Sequence, residues 1–400
     1  MDLSYGPEYE DFRAEVRIFI EKNKHKSPLA GMGMRGHPEA FEQDWQKLLI
    51  ENGYTCRTIP KKYGGYGAEP DILKTVIIQD EFTKANVNSG LSGQGIGMLA
   101  PTLLERGTDE QKEKYIRPTI HGELYWCQGY SEPGAGSDLA SLRTSARVED
   151  GHFIINGQKI WTSSAHFSDM CFILVRTEPD KPKHEGISYL LMDMKTPGID
   201  VRPLVTMTGA AEFNEMFLTD VKVPVDSIVG KRGEGWLVAN TTLKHERGML
   251  GDPGLLLARV ESILKILQQE KLNGRPLVEN ALYRDRLVAA QAKTEALKFH
   301  ALRLLSQTLK NEEPGLSRLI IKYYGTTLAR ELSDIALESL GELGALYDGS
   351  PHLRSHGSWQ VRNMFDLGLI IGGGTSQIQK NIISERGLGM PREPKPAEKQ

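Results

Sequence analysis

The 400-residue chain holds only three cysteines, Cys56, Cys127 and Cys171, set far apart. That is too few and too scattered for a disulfide framework or a zinc site, and it fits a reducing compartment. An excess of one charge is also missing. The formal net charge is −3 and no basic stripe interleaves with aromatics, so nothing points to nucleic acid. No apolar run approaches the length of a membrane span. The stretch from Met1 to Asp11 is acidic without an apolar centre and does not read as a signal peptide, so a soluble cytoplasmic chain is expected. His166 and His245 lack companions at metal-ligand spacing, and ordinary polar contacts are expected of them. What is present is 39% hydrophobic residues, enough at this length for a large core split into more than one packing unit.

The texture of the chain changes along its length. Over residues 1–122 the pattern is helical: Phe12, Val16, Phe19 and Ile20 recur at helix spacing, as do Trp45, Leu48 and Leu49. Loops are marked by Gly31-Met32-Gly33-Met34 with Gly36 and Pro38, and by Lys62-Tyr63-Gly64-Gly65-Tyr66-Gly67. Over 123–232 short apolar runs alternate with turns, Cys171–Val175 and Ile187–Met192 among them, which reads as β structure. Over 233–390 the pattern is helical again, with Leu256, Val260, Ile263, Leu264 and Leu267 on one face and an amphipathic segment from Leu328 to Leu340. The Pro- and Lys-rich end, 391–400, reads as a disordered tail.

Two segments carry chemistry. In Ser131-Glu132-Pro133-Gly134-Ala135-Gly136-Ser137-Asp138, proline and two glycines in close succession demand a tight turn, around which Gln128, Ser131 and Ser137 can donate hydrogen bonds to a ligand near the backbone. Some twenty residues on comes Phe153-Ile154-Ile155-Asn156-Gly157-Gln158-Lys159-Ile160-Trp161-Thr162-Ser163-Ser164. Asn156-Gly157 between apolar runs predicts a two-residue hairpin turn, followed by a strand ending in an aromatic and three hydroxyls.

Together these segments resemble the flavin-binding middle domain of the acyl-CoA dehydrogenase family. The resemblance extends to Phe213-Asn214-Glu215 through Val223-Pro224, to Gly233-Glu234-Gly235-Trp236, and to Gly374-Thr375-Ser376-Gln377-Ile378-Gln379, so it covers essentially the whole chain. It implies an α+β, mostly α fold: a helical N-terminal domain, a middle β-barrel or sandwich domain, and a C-terminal four-helix bundle that builds the oligomer. It implies FAD as cofactor, an acyl-CoA thioester as substrate and an electron-transfer flavoprotein as electron acceptor. Tyr130, Ser131, Trp161 and Ser163 are expected along the isoalloxazine ring, with Gln128, Gly136 and Thr162 in the same site. Ser137 is expected near the phosphate or pantetheine, and Thr375 and Gln377 against the cofactor. A core tryptophan at a strand end is the alternative for Trp161, but an indole followed by hydroxyls at the matching motif position favours ring contact.

The family's chemistry needs donors for the thioester oxygen and a carboxylate base in a dry pocket. In most members that base is a Glu just before the Gly-Thr pair, and here the position is Gly373, which cannot accept a proton. The isovaleryl- and long-chain-type branches instead use a Glu-Arg pair on the helix after the β domain. The matching segment is Leu243-Lys244-His245-Glu246-Arg247-Gly248, which makes Glu246 the expected base and Arg247 a substrate contact. The Gly373 N–H remains a donor for the carbonyl. Two further departures lie where homotetrameric relatives grip the diphosphate of a neighbour's FAD. The Arg-x-x-Phe-Gly segment reads Glu270-Lys271-Leu272-Asn273-Gly274, and the Gln-x-x-Gly-Gly-x-Gly loop reads Glu338-Ser339-Leu340-Gly341-Glu342-Leu343-Gly344. Acidic residues there repel a diphosphate. The expectation is an α2β2 assembly with a second, related subunit, as in the heteromeric acyl-CoA dehydrogenases of bacterial steroid side-chain degradation. A non-catalytic structural subunit and an acyl-CoA oxidase stand as alternatives.

Overall fold

The computed structural model describes residues 6–29, 36–247, 251–310, 312 and 315–392. The Gly31–Met34 loop and the tail from Glu393 lie outside the described residues. Two compact units divide the chain, Met1–Glu246 and Arg247–Gln400.

The first unit opens with helices α1 (Pro7–Asn23), α2 (Ala40–Glu51), α3 (Ile72–Ala85), α4 (Ala100–Arg106) and α5 (Asp109–Ile120). Val16, Phe19 and Ile20 of α1 fall on one face and bury against Trp45 and Leu49 of α2 and Ile77, Ile78 and Phe82 of α3. Across this core Glu81 of α3, 4% exposed, accepts from Arg13 Nη1 and from Arg17 Nε, each at 2.7 Å. Burial alone would push its carboxyl up, but the hydrogen bonds from Arg17 and Arg13, with Lys84 nearby, hold it down at about 2 against an ordinary 4.5. A carboxyl whose pKa falls on folding stabilises the fold above its unfolded pKa and loses that contribution as pH drops through the folded one. Glu81→Gln is therefore expected to cost about 3 kcal/mol at neutral pH. It should also flatten the loss of melting temperature between about pH 4.5 and 2, measured as thermal unfolding over a pH series.

The same unit continues into an eight-stranded mixed sheet: β1 (Trp126–Gly129), β2 (Ser145–Glu149), β3 (His152–Lys159), β4 (Met170–Arg176), β5 (Ile187–Asp193), β6 (Ile199–Leu204), β7 (Phe213–Pro224) and β8 (Ile228–Val229). Its path runs β6-β7-β3-β2-β4-β5-β8, with β1 parallel to β4, and does not close into a barrel. The apolar runs at 171–175 and 187–192 are the buried strands β4 and β5, antiparallel to each other.

The expected hairpin at Asn156-Gly157 is not formed. The turn sits at Asp150-Gly151, where φ is +47° and +72°, and joins β2 to β3 with Glu149 opposite His152. Asn156 and Gly157 lie inside β3 at a bulge. Asn156 bonds Asp220 in both directions (Nδ2 to Oδ1, 2.9 Å; Asp220 N–H to Oδ1, 3.0 Å). At Gly157 a Cβ would lie 2.5 Å from Thr144 Oγ1, so the glycine permits close approach and not a turn.

The unit closes with α6 (Gly235–Arg247). The second unit holds four long helices, α7 (Pro253–Gln269), α8 (Ala281–Leu309), α9 (Arg318–Ser339) and α10 (Ser358–Ile371), and the short α11 (Ser376–Ile382). Leu256, Val260, Ile263 and Leu267 face its core as expected, but Leu264 is exposed and Ile266 is buried instead. Asn273-Gly274, with φ of +52° and +82°, forms the two-residue turn between β9 (Lys271–Leu272) and β10 (Arg275–Pro276). Among the described residues no helix is long and apolar enough to cross a membrane, and no group of His, Cys, Asp or Glu could hold a metal.

Candidate active site

In the first unit the fold brings the two sequence segments side by side. Ser131 C=O accepts from Ile160 N–H at 2.9 Å, so the end of β3 runs along the start of the glycine-rich loop. Glu132 and Ala135 exchange backbone hydrogen bonds (3.2 and 3.0 Å), closing a tight turn over Pro133-Gly134. What fixes this turn from below escaped the sequence reading. The Glu132 carboxylate accepts from Lys159 Nζ (2.8 Å), Arg143 N–H (2.6 Å) and Thr144 N–H (2.9 Å), and Lys159 Nζ also reaches Tyr130 C=O (3.2 Å). Lys159 is 0% exposed. Burial pushes the Glu132 carboxyl up, yet the Lys159 ammonium and these hydrogen bonds outweigh it and hold it below the ordinary range. Both residues were in the quoted segments, but 27 positions of separation gave no sign that they meet.

Beyond Lys159 the chain turns sharply. Trp161 and Ser164 both hold left-handed backbone, with φ of +59° and +63°. The strain is held by Thr162 N–H to Asn214 C=O (3.0 Å), Asn214 Nδ2 to Thr162 C=O (2.9 Å) and Ser164 N–H to Glu212 C=O (2.9 Å). The outcome is an indole 58% exposed, edge-on to Phe213 at 5.8 Å, which is no core tryptophan. Thr162 Oγ1 next to it is buried and bonded to nothing described. Gln128, Ser131 and Ser163 are half-buried, and Gly136 and Ser137 are exposed, with open space where a Gly136 Cβ would stand. The Tyr130 ring lies under the loop, edge-on to Phe172 and Tyr189. An exposed aromatic face, a row of hydroxyls, one orphaned donor and no free carboxylate in the turn form a donor set that suits a flat, hydrogen-bonding ring system such as a flavin.

Helix α6 is anchored by hydroxyls. Thr242 Oγ1 contacts Thr102 Oγ1 of α4 at 3.0 Å and Tyr189 Oη of β5 at 3.5 Å, while Arg106 Nε donates to Thr241 Oγ1 at 3.2 Å. His245 Nε2 meets Glu105 Oε1 at 3.0 Å, and His166 Nδ1 meets Asn214 Oδ1 at 3.1 Å, the ordinary polar contacts expected of both. Glu246 and Arg247 occupy the last turn of this anchored helix, one turn beyond Thr242, and their side chains lie outside the described residues.

In the second unit Gly373 and Thr375 lie on the connection from α10 to α11, and Gln377 in the first turn of α11. Gly373 and Gly374 hold φ of +63° and +90°, which disfavours any side chain there. Thr375 caps α11 by accepting from Ile378 N–H at 3.1 Å, and Gln377 is exposed. Of the acidic departures, Glu270 binds Arg354 Nε at 2.6 Å, Glu338 pairs with Arg286, and Glu342 is exposed in the short helix Gly341–Ala345. Arg354 and Arg286 are thus already engaged by carboxylates.

Three domain models match in chain order: acyl-CoA dehydrogenase N-terminal domain over residues 6–123, middle domain over 127–221, and C-terminal domain over 233–388. The chain belongs to the acyl-CoA dehydrogenase family. It is 36% identical to acyl-CoA dehydrogenase IpdE1 of Mycobacterium tuberculosis over 96% of this chain and 99% of that one. Acyl-CoA dehydrogenase FadE26 of the same organism is 31% identical over 98% and 99%. Among solved structures it is similar to the Tcur3481-Tcur3483 steroid acyl-CoA dehydrogenase, with a TM-score of 0.82 and 29% identity over 98% of this chain and all of that one. It is also similar to the ChsE4-ChsE5 complex from Mycobacterium tuberculosis, with a TM-score of 0.81 and 31% identity over 98% and 100%. As an acyl-CoA dehydrogenase it is an oxidoreductase of a flavoprotein family with the helical, β, helical order that the sequence implied.

Proposed function

We propose that this chain is the base-carrying subunit of a heteromeric, FAD-dependent acyl-CoA dehydrogenase that desaturates the α,β bond of a bulky, steroid side-chain acyl thioester. The observation that carries the reading is at Gly373: the family's usual base position is a glycine in left-handed backbone, while α6 ends on Glu246-Arg247. Glu246 removes the α-proton. The Gly373 N–H donates to the thioester carbonyl, whose oxygen gains negative charge as that proton leaves. FAD, when bound, would supply the hydride acceptor for the β-hydrogen, with an electron-transfer flavoprotein as the electron acceptor.

Around the ring Trp161 offers an aromatic face, and Ser131, Thr162, Ser163 and Gln128 offer donors. Gly136 leaves room for close approach, and Tyr130 is the floor of the loop. By the family resemblance, Thr375 and Gln377 are assigned to the cofactor, and Ser137 and Arg247 to the CoA portion. Gly372, Gly373 and Gly374 leave side-chain volume free for a wide acyl group. The steroid assignment is supported by the similarity to a steroid acyl-CoA dehydrogenase, and the heteromeric assembly by the similarity to the two-component ChsE4-ChsE5 complex.

A related second subunit completes the assembly as α2β2, with one FAD for each unlike pair. Two features support it. Glu270 and Glu338 tie up Arg354 and Arg286 where a diphosphate grip is expected, and α10 leaves Val361, Phe365 and Ile371 exposed, apolar surface available for another chain. The test is purification of the chain alone and with its co-expressed partner, followed by flavin quantification and an acyl-CoA panel. Alone, the chain is expected to retain little flavin; with the partner, one FAD per pair and turnover of steroid side-chain thioesters over short straight-chain ones. Full flavin occupancy in the chain alone overturns the shared-site reading, and preference for short acyl groups overturns the substrate.

A further inference from the structure

The loop that presents Gly373 is three consecutive glycines, which have no side chains to hold their dihedrals. Something else must fix the direction of the Gly373 N–H. Lys322 of α9 is 1% exposed and lies beneath this loop. Its Nζ donates to Gly374 C=O at 2.6 Å and to Ile370 C=O at 3.3 Å. One ammonium therefore joins the last turn of α10 to the far side of the glycine run, stapling the chain on both sides of Gly372-Gly373. The end of α10 is itself the negative pole of the helix, a favourable place for a cation. Gln379 completes the clamp: its Nε2 donates to Gly373 C=O at 3.4 Å, and a Cβ on Gly374 would lie 2.7 Å from the same nitrogen.

We infer that Lys322 is a positioning residue for the dehydrogenation: by holding the carbonyls of Ile370 and Gly374 it aims the Gly373 N–H at the substrate thioester. The inference rests on the reading of that N–H as a carbonyl donor. Lys322 touches neither substrate nor reacting atoms. It acts by removing the freedom that three glycines would otherwise have, so the donor is oriented before the substrate arrives. A preset donor strengthens as charge develops on the oxygen, so its loss falls on kcat more than on KM.

The test uses the flavin-loaded complex with its partner and a 13C-labelled acyl-CoA dimethylated at Cα, which has no α-proton to lose. Infrared difference spectra read the thioester carbonyl stretch. In the wild type it is expected below its frequency in water, and in Lys322→Met it returns toward the aqueous value. With a reactive substrate, kcat of Lys322→Met falls about tenfold or more while KM stays within a few-fold, and Lys322→Arg recovers part of the loss. Flavin content and melting temperature report whether the loop has merely unfolded. If Lys322→Met does not assemble, the same spectra on Lys322→Gln, which keeps an amide NH2 as donor without the charge, give the answer. A lowered wild-type stretch that is unchanged in the variants overturns the role of Lys322 alone. A wild-type stretch equal to that in water overturns the Gly373 donor, and the positioning role with it.

Discussion

Glu246→Gln is expected to lower the rate of flavin reduction by about a thousandfold or more, at the upper end of what a positioned base contributes. Glutamine matches the size of glutamate and can still hydrogen-bond, but it cannot take a proton. Binding of acyl-CoA and the flavin content should stay near wild type, because the α6 anchors Thr241, Thr242 and His245 are untouched. The measurement is anaerobic single turnover with saturating substrate, followed by bleaching of the flavin absorbance in the complex. Unchanged bleaching would remove the catalytic role from this chain and leave the scaffold reading. A fall seen only at low substrate would instead assign Glu246 to binding.

Glu132→Ala is expected to destabilise the first unit by about 3–5 kcal/mol, since it leaves a fully buried ammonium without its partner. Two backbone donors, Arg143 N–H and Thr144 N–H, lose their acceptor in the same step. The turn over Pro133-Gly134 should loosen, and flavin content should drop with it although no proposed ring contact was changed. The double variant Glu132→Leu/Lys159→Met separates the causes. It removes the stranded charge and is expected to recover part of the stability, while the orphaned N–H of buried Thr144 keeps a residual cost of about 1–3 kcal/mol and that of exposed Arg143 turns to water. Thermal unfolding and flavin absorbance of the single and double variants check both effects. A single variant as stable as the wild type would show that Lys159 finds another partner.

The strands and helices were readable wherever one face is apolar over several turns or residues, as in β4, β5, α1 and α7. Local turn chemistry was less dependable. Asn-Gly occurs at 52–53, 156–157 and 273–274; the first and last lie in turns and the middle one does not. The dipeptide fits either role, and the choice at 156 was made by Asp220 and Thr144, both brought there by the finished sheet. The same limit hid Lys159 and Lys322. A lysine in sequence looks like solvated surface, and only its distant partners, Glu132 for one and the carbonyls of residues 370 and 374 for the other, make burial tolerable. The aromatic and hydroxyl residues at 161–163 were visible because the whole cluster is contiguous. The left-handed backbone that turns the indole outward was not.

The positive dihedral at Gly373 has a consequence for any attempt to redesign the enzyme. Grafting a glutamate onto that residue would force a long side chain into a backbone state that costs about 1–2 kcal/mol for an L-residue, beside a loop stapled in place on both flanks. Gly373→Glu in the Glu246→Gln background should therefore not revive turnover: moving the carboxylate back would require rebuilding the loop along with the side chain.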